Sequence, residues 1–403
     1  MLAHESLLQL KSQTAFQAVG EPVGNLTLGR GQLQGSPVYL AIVENKIASG
    51  SLGAKESDKL ASLFKVVAAQ KSPLLMYLDS AGARVSEGLP ALGAFRHMYR
   101  AALAMAVSGA PVAAVCGANC FGGASMLASL AGTRYFSTNT RFAMSGPAIL
   151  AQSAGVSVLD EMFQAMSQAA IGRDSRLKLA AGNVAVPPAL SLPVAVSATD
   201  THALLGARLA TIASGKLGNA VEKIERKDFA KLYPDGYDAQ ERGGVISGGA
   251  QYQGGKVALL GVVSGKLLGA ATAWAMADAV WKYLAKPPPS LHVLVDCESH
   301  ATAMDDERVM LSAYLADLAV ALHVLGRAGT KIETTALGKL GGGVYVALAA
   351  PSEQVNLVYG THIQLLPGKA IASILGDSAP DKFEFADYSK SRVADREIKL
   401  GLV

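Results

Sequence analysis

Leu74-Leu-Met-Tyr-Leu-Asp79 is a short apolar run closed by an acid, and Leu291-His-Val-Leu-Val-Asp296 repeats it further along the 403-residue chain. The two closing acids are 296 − 79 = 217 residues apart. A run of this kind, bounded by turn residues, reads as a buried strand of a parallel sheet. The neighbourhood of each run repeats as well. Upstream, Gly31-Gln-Leu-Gln-Gly35-Ser-Pro-Val38 and Gly249-Ala-Gln-Tyr-Gln-Gly254-Gly-Lys-Val257 both read as hairpins. Gly50-Ser-Leu-Gly53 and Leu267-Leu-Gly269-Ala each precede a helix, about 54–70 and about 271–285. Downstream, Leu89, Leu92, Phe95, Tyr99 and Leu103 recur at helical spacing. In the second copy Asp305 and Asp306 favour a helix start, and that helix is expected to run to about Leu325. Double-glycine turns follow, Phe121-Gly122-Gly123-Ala124 and Leu340-Gly341-Gly342-Gly343, with 342 − 122 = 220. Thr140-Arg-Phe-Ala-Met and Thr361-His-Ile-Gln-Leu close each copy, with 361 − 140 = 221.

Seven features in one order, at nearly constant spacing, make the chain a tandem duplication of one α/β unit. The expected domains are residues 1–185 and 240–403. The connecting segment 186–239 holds Pro187, Pro188 and Pro193, a helix near His202 to Ser214, and the charged stretch Glu222 to Lys231.

Composition removes several classes of function. Basic and acidic side chains number 36 and 32, a net charge of +4, and only 17% of residues are charged against roughly 25% in ordinary domains. Nucleic-acid binding is therefore not expected. Half of the residues are apolar, which excludes a disordered chain. Cys116, Cys120 and Cys297 form neither a disulfide framework nor a metal-ligand pattern, so no metal is expected. Met1 to Glu21 carries His4, Glu5 and Lys11 where a secretory leader needs an apolar stretch, and a cytoplasmic location is expected. Residues 101–133 lack charge but contain Pro111, Asn119 and five glycines, so they read as core rather than membrane span.

Ala81-Gly82-Ala83 lies just beyond Asp79, and Gly122-Gly123 just before a helix. In open α/β sheets ligands bind at the carboxyl ends of strands. Glycine there lets backbone N–H groups approach a ligand, and a helix start aims them outward. Two such donors from separate turns would make an oxyanion hole suited to a thioester carbonyl becoming an enolate. Neither turn is a dinucleotide fingerprint or a phosphate-binding loop. Packing is the competing reading of these glycines.

Asp79-Ser-Ala-Gly-Ala-Arg84-Val-Ser-Glu87-Gly88 resembles the Asp-Ser-Gly-Gly-Ala-Arg-x-x-Glu-Gly loop of the acyl-CoA carboxylase carboxyltransferases, members of the crotonase superfamily. Gly50-Ser-Leu-Gly53, Asn119-Cys-Phe-Gly-Gly-Ala124 and Ser145-Gly-Pro147 match further motifs of their first domain. The first half is similar to the beta subunit, and the second to the gamma subunit, of biotin-independent malonate decarboxylase, across about Gly24 to Asp377. The resemblance implies two tandem crotonase-like β/α domains. It further implies decarboxylation of a malonyl thioester on an acyl-carrier protein, with a phosphopantetheine-type, CoA-like arm and no covalently bound cofactor. Gly82, Ala83 and Gly123 would hold the enolate oxygen, with Gly122 of the same turn also a catalytic candidate; Gly342 and Gly343 would face the departing carboxyl group, and other malonate decarboxylase subunits or a second copy of the chain would be partners. Gly50, Gly53, Arg84, Ser145, Tyr345 and His362 are the candidate substrate contacts.

Departures from the family pattern narrow this. Leu340 stands where biotin-dependent enzymes carry an aromatic, so biotin is not expected. Ser125 replaces the glutamate of hydratases, and Ala148 replaces an acid after Gly-Pro. Two alternatives stay open: carboxyl transfer to or from biotin on a separate carrier, and a non-catalytic scaffold subunit, which the missing acid at Ala148 motivates. Arg84 and Glu87 read first as an ion pair shaping the turn. Asp79 and Asp296 are expected to accept loop N–H groups. His362 and Tyr345 are the proton-donor candidates near the second glycine turn, each with a structural reading beside it. His300 and Asp305 to Glu307 are as well explained by a helix start as by catalysis. The lysines and arginine of Glu222 to Lys231 could receive an acidic carrier protein, although most charge runs are simply solvated.

Overall fold

A computed structural model describes residues 1–156, 159–179, 182–212, 217–263, 265–368, 371 and 383–400. Ser214 and Asp377, at the ends of two expected stretches, lie outside the described residues. The first sheet runs Gln17–Ala18, Leu26–Leu33, Ser36–Val43, Leu74–Ser80, Val112–Phe121, Thr133–Phe136, Asn183–Ala185, with Arg141–Ala143 beside the far end of Val112–Phe121. The second runs Val221–Lys223, Tyr237–Arg242, Val245–Tyr252, Gly255–Val262, Ser290–Cys297, Lys331–Gly341, Gln354–Val358, Arg396–Ile398, with His362–Gln364 beside Lys331–Gly341. In each, an antiparallel hairpin feeds a parallel run. The second sheet begins at Val221, so the end of the connecting segment is built into it.

The duplication persists in detail. Both hairpins turn on a Gln-Gly pair, Gln34-Gly35 (φ 52° and 77°) and Gln253-Gly254 (50° and 79°). Positive φ at both central positions matches the right-handed twist of the flanking strands. In the long strand of each half the ladder skips. Leu78 and Ser80 pair with Cys116 and Cys120, and Val295 and Cys297 pair with Ala336 and Leu340. The unpaired loop of the skip arches over the acid that closes the neighbouring strand. Asp79 Oδ2 and Oδ1 accept the N–H groups of Ala118 (3.2 Å) and Asn119 (3.1 Å), and Asp296 Oδ1 accepts that of Lys339 (3.0 Å). A side chain at Gly117 would strike Asp79, and one at Gly338 would strike Asp296, which is why both arches carry glycine.

Helices Ala54–Gln70 and Leu89–Val107 cover one face of the first sheet, and Ala270–Tyr283 and Leu311–Arg327 cover the second. The halves join through helices, Leu311–Arg327 lying on Gly123–Ser129 and Leu89–Val107 to form one continuous apolar core. The single helix expected from Asp305 to about Leu325 is two, Met304–Arg308 and Leu311–Arg327, with Met310 left-handed (φ 70°) between them. The buried Arg176 braces the break. Its guanidinium donates to the backbone carbonyls of Glu307 (2.8 Å) and Arg308 (3.4 Å) at the end of the first helix. Helix Ala198–Leu209 of the connecting segment buries Leu205 and Leu209 and sets His202 Nδ1 at 2.7 Å from Asp317 Oδ2.

Candidate active site

The carboxyl ends of the two sheets face each other across a cleft of about 930 Å³, walled by both halves of one chain. From the first half come Ala83, Arg84, Gly122, Gly123 and the stretch around Met144 to Ala148. From the second come Ser299, His300, Gly342, Gly343 and Leu365 to Pro367.

The turns obey the same symmetry as the sheets. Gly122 and Gly342 both have φ 54° and each hands the chain from a strand to a helix. Leu52 forms a parallel bridge with Ala83, and Leu268 forms one with His300. Leu52 N–H donates to Gly82 (2.7 Å) and Leu268 N–H to Ser299 (3.1 Å). Ser299-His300 is therefore the second half's counterpart of Gly82-Ala83. The turns of the first half touch: a methyl group on Gly82 (φ 91°) would lie 2.8 Å from the Gly123 amide nitrogen.

Which N–H groups are available follows from their partners. Gly82 donates to Ser80 Oγ (3.1 Å), and Gly122 donates to the carbonyls of Ala143 (3.0 Å) and Met144 (3.2 Å). These two expected donors are thus committed to holding the turns in shape. Ala83 and Gly123 line the cleft, and their N–H groups have no partner among the described residues. His300 N–H is likewise without one, and Gly343 sits in a first helical turn, where N–H groups lack intrahelical acceptors.

Other expected contacts fall elsewhere. Tyr345 is wholly buried between the halves and donates its hydroxyl to Val393 (2.8 Å), because the helix that starts at the glycine turn carries it into the core. His362 leans on Gln364 (3.1 Å) and stacks on Phe383, outside the cleft wall. Gly50 (φ 71°) passes under the Asp79 carbonyl, and Gly53 starts a helix against Arg84 and Glu87. Arg84 pairs with Glu56 and with Glu87 (2.7 Å) and donates to Ser51 (2.8 Å), the turn-shaping ion pair expected, while its side chain also reaches the cleft wall. Ser145 is buried just behind the wall, with Oγ 3.3 Å from His300 Nε2.

Sequence reasoning underrated three residues. His300 carries the imidazole of the cleft: burial holds it down to about 4, so it is neutral near pH 7, and Ser299 Oγ lies 3.4 Å from Nδ1. Adding the offset of the acid-ending strands to Ala83 (83 + 217 = 300) points to it directly. Glu307 is buried, and burial raises its carboxyl to about 7 against the opposing pull of Arg176 and the Ser145 and Met144 N–H groups. Arg141 lines the cleft with both Nε (3.1 Å) and Nη2 (2.6 Å) on Asn119 Oδ1. No cluster of three potential metal ligands and no helix long and apolar enough to cross a membrane occurs among the described residues.

Residues 5–171 match the model of the carboxyl transferase domain. The fold is α/β, two tandem units of one duplicated topology, the first of which carries the matched carboxyl transferase domain. The methylmalonyl-CoA carboxyltransferase 12S subunit of Propionibacterium freudenreichii subsp. shermanii is 29% identical over 152 residues, 37% of this chain and 29% of that protein. An acetyl-coenzyme A carboxylase carboxyl transferase subunit beta of Roseiflexus castenholzii is 34% identical over 98 residues, 24% of this chain and 33% of that one. The chain spans about a third or less of the length of these curated relatives. Among solved structures, a Pseudomonas malonate decarboxylase hetero-tetramer in complex with malonate is 22% identical, covering 47% of this chain and 77% of that one, with TM-score 0.41. A transcarboxylase 12S structure is 19% identical, covering 99% and 87%, with TM-score 0.38.

Proposed function

We propose that the chain decarboxylates a malonyl thioester presented on the phosphopantetheine arm of an acyl-carrier protein. The observation that carries this reading is the pair of N–H groups, Ala83 and Gly123, that have no partner among the described residues and line one cleft opposite a second turn built the same way. The carbon–carbon bond to the carboxylate breaks, CO₂ leaves, and the electron pair moves into the thioester carbonyl. The resulting enolate oxygen rests on the two N–H donors, a contribution on the order of 10²–10³ in rate per donor. One proton added at the α-carbon completes the acetyl thioester. Water is its final source, and the neutral His300 imidazole, set between the Ser145 and Ser299 hydroxyls, passes it on: one nitrogen releases a proton as the other takes one from its hydroxyl, which water then reprotonates.

The second reading is transfer of the carboxyl group to or from biotin on a separate carrier. It is favoured by the matched domain model and by the carboxyl transferase names of the curated relatives. Incubating the protein with malonyl-loaded carrier protein, with and without avidin, separates the two by acyl mass. Acetyl product formed despite avidin supports decarboxylation, and turnover only on adding a biotinylated partner supports transfer. Silence under both conditions leaves a scaffold.

A further inference from the structure

The charged side chains along the cleft are not equivalent. Arg84 is neutralised by Glu56 and Glu87, and Glu298 lies 3.4 Å from Lys339. Arg141 has no ion pair among the described residues. Its guanidinium is nevertheless built in. Nε and Nη2 share the Asn119 side-chain oxygen, and the Phe121 ring lies 5.9 Å beneath it. Asp79 is close enough to feel its charge, but both carboxylate oxygens there are taken by the Ala118 and Asn119 N–H groups. A guanidinium carries five N–H donors, so the Nη1 edge remains for a ligand. Strand Arg141–Ala143 pairs residue by residue with Asn119 to Phe121, and Arg141 stands two residues, roughly 7 Å of strand, before the Ala143 carbonyl that holds Gly122. The strand that carries this cleft-lining cation therefore leads straight to the glycine turn that would hold the acyl group.

Building on the malonyl-thioester reading, we propose that Arg141 binds the free carboxylate of the acyl group, so that the cleft selects α-carboxyacyl thioesters over simple acyl thioesters. A charge-assisted contact to a fixed guanidinium gives both affinity and direction. It holds the carboxylate to one side while the carbonyl oxygen sits on the Ala83 and Gly123 N–H groups, and so sets the torsion of the bond that breaks. The same cation could instead meet a phosphate of the pantetheine arm.

Calorimetric titration with sulfoacetyl-CoA, whose sulfonate mimics the carboxylate but does not leave as CO₂, against acetyl-CoA tests the assignment. The wild-type protein is expected to prefer sulfoacetyl-CoA by about tenfold or more. Arg141→Gln should erase the preference while leaving acetyl-CoA affinity in place, and Arg141→Lys should restore part of it. Equal wild-type affinity for the two overturns the proposal without touching the decarboxylase reading, and it needs no variant. An equal loss for both ligands in Arg141→Gln overturns it in favour of a phosphate contact. Failure of the wild type to bind either thioester overturns the malonyl-thioester reading itself.

Discussion

Glu307 of the second half grips the backbone of Ser145 in the first, its Oε1 accepting the Ser145 N–H at 2.7 Å while Oε2 accepts that of Met144 at 3.1 Å. The Met144 carbonyl in turn accepts the Gly122 N–H (3.2 Å), so a carboxylate from one copy of the fold holds the glycine turn of the other.

This grip should make activity and stability respond to pH in opposite directions. Burial raises the Glu307 carboxyl from 4.5 to about 7, with Asp306 adding to the rise and Arg176 opposing it. The folded state then binds the proton more tightly than the unfolded state. The stabilisation is full below about pH 4.5 and is lost as pH rises towards 7. The ionised form is the better acceptor for two N–H groups, so turnover should rise over the upper part of that window. Thermal melts from pH 4.5 to 8 check the first claim, and Glu307→Gln should flatten the slope. A variant that melts with the wild-type pH dependence removes Glu307 as its source.

Substituting the two facing glycines should have unequal cost. A methyl group on Gly123 drives into the Phe95 ring, whereas one on Gly343 meets the flexible Met144 methyl (2.5 Å), with Leu315 (3.2 Å) and the Met126 sulfur (3.3 Å) just beyond. Overpacking costs typically about 1–3 kcal/mol, and Gly123→Ala belongs near the top of that range with Gly343→Ala near the bottom. Urea midpoints measure the difference, and equal shifts would contradict it.

His300→Gln keeps a polar group against Ser145 and removes the relay. Turnover is expected to fall on the order of 10²–10⁴ with little change in KM. Because the imidazole is held at about 4, wild-type kcat should show no histidine ionisation between pH 6 and 8. A rise in KM alone would make His300 a binding residue instead.

Helix Ala198–Leu209 carries its own reporter. His202 lies between Asp317 (2.7 Å) and Asp278 (3.6 Å) and stacks on Trp274 at 5.2 Å, with Trp281 at 6.0 Å, the chain's two tryptophans. Burial works against the charged imidazole, but the two carboxylates outweigh it and the pKa is raised. The stability it contributes is complete below about pH 6.5 and disappears as pH climbs through the folded value. Tryptophan emission should brighten over the same interval as the quenching imidazolium is lost, and His202→Gln should remove the step.

The duplication was legible because its markers are local. An acid closing an apolar run, a Gly-Gly turn and a hairpin each announce themselves within a few residues, and the fold sets Asp79 and Asp296 under matching arches and Gly122 and Gly342 at the same φ. What stayed hidden depends on contacts between copies. Glu307 looked like an ordinary helix-start acid because its partners, Met144 and Ser145, are some 160 residues away. Tyr345 was drawn towards the site by its nearness to Gly343 in sequence, yet helical rotation turns it away. Arg141 is one charge in a three-residue strand, and what marks it out is the want of an ion pair among the described residues.

Both turns that wall the cleft ride on one covalent thread, which fixes their stoichiometry at one to one. Dilution cannot part them. Specific activity should therefore stay level down to nanomolar enzyme, where a site shared between two separate polypeptides would dissociate and fall silent.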